Sequence, residues 1–210
     1  MTDWYRRKTW SSEDEKEFFT KLARARNDSR PQYLKIQAIE LVQTKEKRAL
    51  GAAESLIRKL FDEYPEDKFN KSSALNLLGD IYKIRDDFKT AIDYYKQALD
   101  FEISYPQVKT QAYLNYSELV VKSNRTALFD SVKTIISERL NDQFFPIEKY
   151  KSYSILSIIS RHKKDQEQAD YFEELANKYA NEETSGLRYH KYLGVVKERD
   201  SLLDKLLRRK

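Results

Sequence analysis

Four prolines divide this chain at regular intervals: Pro31, Pro65, Pro106 and Pro146 are spaced by 34, 41 and 40 residues. Proline lacks an amide hydrogen and its ring clashes with the preceding helical turn, so it stands at the start of a helix or between helices. Each proline here falls between stretches whose apolar residues recur every three or four positions. A helical pattern repeated at that period points to stacked helical hairpins. Little else interrupts the pattern. Only 4 glycines occur and 35% of the residues are charged, which suits long amphipathic helices better than short strands joined by tight turns.

The spacing predicts about ten helices in an all-α fold, read as one domain over residues 1–210 with a helical cap at 1–29, about four hairpins at 30–183 and a basic helix at 184–210. Ser12-Glu13-Asp14-Glu15 has the form of a capping box and opens a helix carrying Phe18, Phe19 and Leu22, which runs to about Arg26. Pro31 suits the first turn of a helix with Leu34, Ala38, Leu41 and Val42. That helix pairs with one bearing Ala49, Ala53, Ile57, Leu60 and Phe61. Leu75, Leu78, Ile81 and Tyr82 precede a break at Arg85-Asp86-Asp87, and Phe88, Ala91, Ile92, Tyr95, Ala98 and Leu99 follow it. A third hairpin starts near Val108 and resumes at Leu128. A fourth joins the Tyr150–Ile159 face to the Ala169–Tyr179 face across Arg161-His162-Lys163-Lys164-Asp165. A last helix from about Ser185 would place Tyr192, Val196, Leu203, Leu206 and Leu207 on one side.

The segment from Ser72 to Tyr105 resembles a tetratricopeptide repeat, because Leu75, Leu78-Gly79, Tyr82, Ala91, Tyr95 and Ala98 fall at that family's signature spacings. Gly79 and Ala91 would let two helices approach closely. The likeness is partial elsewhere: Ser157 stands where the small residue belongs, with Glu173 where an aromatic would be expected. The resemblance implies an array of antiparallel hairpins whose first helices line a concave groove. It carries that surface onto Asn76, Asp80 and Lys83, onto Ser154 and Arg161, and in the divergent third hairpin onto Glu118 and Lys122. The family's readers of chaperone tails hold a carboxylate with lysine, arginine and asparagine. Asp80 puts an anion there, so chaperone tails are not expected partners.

The same sequence narrows the chemistry. It has no Cys, which excludes disulfides, thiolate nucleophiles and cysteine zinc sites and favours an intracellular protein. Two histidines, His162 and His190, are too few for a histidine-rich metal site. Four scattered glycines build neither a phosphate loop nor a dinucleotide fingerprint. No cofactor and no catalytic residue is expected. Neither a signal peptide nor a membrane span is read, so the expected location is cytoplasmic.

Net charge is +5, and it lies at the C-terminal end. Residues 187–210 hold eight basic residues (Arg188, Lys191, Lys197, Arg199, Lys205, Arg208, Arg209, Lys210) against Glu198, Asp200 and Asp204. A second basic cluster holds Lys21, Arg24, Arg26, Arg30 and Lys35. The expectation is a non-catalytic scaffold that binds a protein or peptide partner through the groove. The alternative is a nucleic-acid-associated protein using Arg24, Arg26, Arg30, Lys205, Arg208 and Arg209. Trp4, Tyr5, Trp10, Tyr189 and Tyr192 have no clear place on the helical faces.

Overall fold

The computed structural model describes residues 3–207. Among these are ten α-helices and no strand: α1 Ser12–Arg24, α2 Arg30–Thr44, α3 Lys47–Glu63, α4 Lys68–Ile84, α5 Phe88–Ser104, α6 Ala112–Lys122, α7 Phe129–Arg139, α8 Pro146–His162, α9 Gln166–Ala180 and α10 Ser201–Leu207. The all-α class and the number of helices are those expected. The chain forms two compact units, Met1–Ala112 and Tyr113–Lys210.

Three hairpins turn by one device. In α4–α5 the Asp87 amide donates to the Tyr82 carbonyl at 3.0 Å and the Asp86 amide to Lys83 at 3.1 Å. The same pair of bonds joins Arg125 to Val120 and Asn124 to Val121 between α6 and α7, and Asp165 to Ser160 and Lys164 to Arg161 between α8 and α9. These bonds satisfy the last carbonyls of the first helix and need one residue in the left-handed region. Asp86, Asn124 and Lys164 adopt it, with φ of 61°, 53° and 63°. The next aspartate then caps the second helix, Asp87 accepting from the Thr90 amide and Asp165 from the Gln168 amide. The Arg85-Asp86-Asp87 break is therefore a turn and a cap in three residues.

The first unit stacks α2–α3 on α4–α5, with α4 packed against both α2 and α3. Its core runs through Phe18, Leu34, Ala38, Leu41, Ala53, Ile57, Leu60, Leu78 and Ile81. Trp4, Tyr5 and Trp10 pack against this core. The irregular stretch that carries them is pinned by buried Gln37, whose amide donates to the Arg7 carbonyl at 2.7 Å and accepts from the Arg7 amide at 3.0 Å. Helix α1 begins one residue earlier than its sequence signal suggests. Ser11, not Ser12, is the cap, and it exchanges hydrogen bonds with Asp14 at 3.1 and 2.9 Å. That reciprocal pair and the Arg7 guanidinium hold the Asp14 carboxyl down to about 2.

Gly79 sets the separation within the second hairpin. A Cβ there would stand 2.3 Å from the ring of Tyr95, which is fully buried. Buried Glu102 closes the far end of the unit, accepting from the Ser72 hydroxyl at 2.7 Å and the Thr110 amide at 2.8 Å. That cap and a 3-10 turn at Pro106–Val108 delay α6 to Ala112, beyond the start expected near Val108.

The second unit pairs α8 with α9 closely, and α7 and α10 also pack on α8. Ser157 is fully buried and its hydroxyl donates to the Ala169 carbonyl at 2.7 Å, so a small residue again sits where two helices approach. The expected long C-terminal helix is not present. Residues 182–200 are irregular and only Ser201–Leu207 is helical. Gly186 and Gly194, with φ of 76° and 71°, break the helical path, and the Gly194 carbonyl is turned to accept from the Ile147 amide at 2.9 Å.

Gly79→Ala should lower the urea midpoint of the first unit by the equivalent of about 1–3 kcal/mol, because the Tyr95 ring has nowhere to move. Gly51→Ala in α3, where an added Cβ meets nothing within 4 Å, should instead stabilise by up to about 1 kcal/mol. Equal effects from the two substitutions, followed by circular dichroism, would contradict this reading of the hairpin.

Candidate functional site

On α4, Asn76, Asp80 and Lys83 lie along the helix that the resemblance assigns to the groove, but these side chains are already engaged. Asp80 accepts the Tyr95 hydroxyl at 2.6 Å and lies 3.6 Å from the Lys83 ammonium. Lys83 also sits over the Tyr95 ring at 6.0 Å. Asn76 is half-buried. The face is a tied polar network that reports on the buried Tyr95 beneath it.

A cleft of about 310 Å³ lies elsewhere on this unit, over α4 between α3 and α5. Leu75, Leu78, Phe61 and Tyr94 provide its apolar lining, and Arg58, Lys71, Asp67 and Gln97 its polar edge. Arg58 is fixed by Glu54 at 2.6 Å, and Glu54 also accepts from Tyr82 at 2.9 Å and Arg85 at 2.6 Å. Burial alone would raise the Glu54 carboxyl, but hydrogen bonds from Arg85, Arg58 and Tyr82 outweigh it and hold it below the usual range. Asp67 is committed as the cap of α4, accepting from the Phe69 and Asn70 amides. Lys71 lies over Phe101 at 5.4 Å. The cleft therefore combines an apolar floor with a cationic edge.

In the second unit Glu118 and Lys122 are brought together and joined by two residues that the sequence spacing had not connected to them. Lys122 reaches Glu118 and Asp200, both at 2.5 Å, and Lys151 reaches Glu118 at 2.8 Å. Burial would push the Glu118 carboxyl up, yet the charge of Lys151 and the hydrogen bonds from both lysines hold it down. Burial would likewise lower Lys122, and its hydrogen bonds to Asp200 and Glu118 raise it instead. Asp200 is held down against its burial by Lys122 and by the Leu203 amide. Beside this cluster the Tyr150 hydroxyl donates to Asp204 at 2.8 Å and accepts from the Asp200 amide at 3.1 Å. Burial and the bond to Asp204 push that hydroxyl up to about 12. Arg199 completes the clamp, reaching Asn177 at 2.7 Å and Asp204 at 2.8 Å. The result seats Leu203 and Leu207 in full burial. Two of the expected groove residues thus hold the chain's own C-terminal segment.

The remaining sites are scattered. Ser154 is fully buried and its hydroxyl bonds back to the Tyr150 carbonyl. Arg161 pairs with Glu173 at 2.8 Å and with Asp170 at 3.7 Å. His162 lies edge-on to Phe129 at 5.1 Å. Arg24, Arg26 and Lys205 are exposed, whereas Arg30 caps the end of α1 by donating to the Ala23 and Ala25 carbonyls. Arg208 and Arg209 lie outside the described residues. Among the described residues no helix is long and apolar enough to cross a membrane.

Sequence spacing missed the cleft because its edge residues, Lys71 and Gln97, are polar positions on two different helices, with no local signal linking them. It missed Asp200 and Asp204 because both were read as ordinary charges on a long helix. No family model, curated protein or solved structure matches the chain.

The clamp has a defined pH window. Glu118 and Asp200 lie below their usual values, so their contribution is complete above about pH 5 and is lost as pH falls through the depressed folded values. Lys122 lies above its usual value, so its contribution is complete below about pH 10 and is lost as pH rises further. Amide protection in residues 199–207, taken relative to the intrinsic exchange rate at each pH, should therefore fall at both extremes before that of α8 and α9. At pH 7, Asp200→Ala should speed exchange there about tenfold, from loss of the cap and of one ion pair. Exchange that follows only global unfolding would contradict the clamp.

Proposed function

We propose that the protein is a tetratricopeptide-like interaction scaffold that holds a peptide or protein segment, and that the cleft over α4 is where it does so. The observation that carries this reading is the combination of an apolar floor and a cationic edge in about 310 Å³, which is the lower end of the size range of ligand-sized clefts. A helical hairpin array supports the reading physically. Helix α4 is packed against α2, α3 and α5, so a segment laid over it meets pre-ordered side chains and loses less to ordering.

The chemistry of the cleft specifies its occupant. Phe61, Leu75, Leu78 and Tyr94 favour one large apolar anchor, and Lys71 favours a carboxylate beside it. A segment with Leu, Ile or Phe flanked by Asp or Glu fits both halves. On this reading the α4 face with Asn76, Asp80 and Lys83 stabilises the hairpin and contributes little contact of its own.

Selection from a randomised peptide library on the full chain tests this directly. The enriched sequences should carry an apolar residue with an acidic neighbour. Lys71→Glu should weaken their binding about tenfold, with helicity and melting unchanged. Enriched peptides that lack acidic residues, or that bind Lys71→Glu as well as the parent, would remove the cleft as the site.

A further inference from the structure

The irregular stretch before α10 carries a feature that the scaffold reading does not use. From Ser185 to Lys197 the chain has Arg188, Lys191, Lys197 and His190 and no acidic residue. Tyr189 is 80% exposed, Tyr192 72% and Leu193 54%. Large apolar side chains held this far into water in one short stretch are uncommon unless a partner covers them.

The stretch is nonetheless built, not loose. The Ser185 amide donates to the Lys191 carbonyl at 2.7 Å, and the Ser185 hydroxyl to the His190 carbonyl at 2.9 Å, closing a loop of seven residues. Inside it the His190 amide donates to the Leu187 carbonyl, and the Leu193 amide to the His190 carbonyl. Gly186 and Gly194 flank the tip in the left-handed region. Gly194 also leaves room for the Phe145 ring, whose nearest atoms would stand 2.4 Å from an added Cβ. With the Gly194 carbonyl tied to Ile147, the loop is fixed at its base. The side chains of Tyr189, Tyr192 and Leu193 face solvent from this fixed base.

Those side chains line a shallow, open depression of about 460 Å³ formed by Arg188, Tyr189, His190, Lys191, Tyr192 and Leu193. Arg188 already lies over the Tyr189 ring at 5.3 Å. Rings alternate with cations along the sequence, so a planar aromatic group on a tyrosine face would bring an attached anion to Arg188 or Lys191.

We infer that the Ser185–Gly194 loop binds single-stranded nucleic acid, with bases stacked on Tyr189 and Tyr192 and phosphates on Arg188 and Lys191. Aromatic stacking is indifferent to sequence, and backbone neutralisation by cations makes binding weaken with salt. An anionic membrane surface also attracts basic and aromatic residues. It wants a continuous apolar wedge, however, and here the exposed rings of Tyr189 and Tyr192 are separated by His190 and Lys191, with Arg188 lying over the Tyr189 ring. The inference concerns the second unit alone and stands apart from the cleft over α4.

The test is fluorescence anisotropy of a labelled twelve-nucleotide oligo-uridine with the full chain, in 50 to 300 mM salt. Tyr189→Ala with Tyr192→Ala should weaken binding at least tenfold at every salt concentration and leave the salt slope unchanged. Arg188→Ala with Lys191→Ala should reduce the slope of log affinity against log salt by about 1.4, from two lost phosphate contacts. These residues are exposed, and unchanged circular dichroism confirms folding. No binding at 50 mM salt overturns the inference. So does binding that both double variants retain, which would move the contact to other cations. Association with vesicles containing one-third phosphatidylserine, without association with the oligonucleotide, also overturns it in favour of a lipid surface.

Discussion

Two helices can lie no closer than their largest facing side chains permit, and this protein meets that constraint by placing a small residue at the point of approach. Gly79 leaves room for the Tyr95 ring, and Ser157 donates its hydroxyl to a carbonyl of the facing helix. The rest follows from this contact. With the Tyr95 ring sunk beside Gly79, its hydroxyl reaches Asp80, and Asp80 in turn holds Lys83. In the second unit Arg161 and Glu173 form the corresponding link across α8 and α9. An ion pair there takes the place of the buried aromatic.

Charge is abundant in this chain, but much of it is committed to structure. Asp67, Asp87 and Asp165 cap helices. Glu54 ties α3 to Tyr82 and Arg85 after it has fixed Arg58. Glu118, Lys122, Lys151 and Asp200 hold the C-terminal segment to the second unit. Ion pairs of this partly buried kind add modest net stability, because desolvation offsets attraction, but they specify arrangement. The surfaces that stand out against this background are the apolar cleft with its cationic edge and the aromatic loop.

Helical periodicity made the hairpins legible in the sequence, since Phe88, Ala91, Ile92, Tyr95, Ala98 and Leu99 can all be buried together only on a helix. The turn at Arg85-Asp86-Asp87 was legible for the same local reason. Contacts between distant residues were not. Gln37 pinning Arg7, Asp200 meeting Lys122 and Tyr150 meeting Asp204 join segments whose separation carries no periodic signal. The C-terminal helix was overextended because Leu203, Leu206 and Leu207 share a face with Val196 and Tyr192 on paper. The two left-handed glycines, Gly186 and Gly194, and the carbonyl bonds that need them outweigh that pattern. Tyr189 and Tyr192 resisted placement on helical faces, and they belong instead to an exposed loop.

The chain has no cysteine, so a single Gln97→Cys substitution gives one environment-sensitive label on the exposed edge of the cleft over α4. Titrating the labelled protein with an acidic, apolar-anchored peptide reports directly on whether the cleft is filled. A saturable blue shift that follows the binding isotherm measured independently on the peptide is expected. Full binding of that peptide with no change in the label's emission would contradict this reading of the cleft.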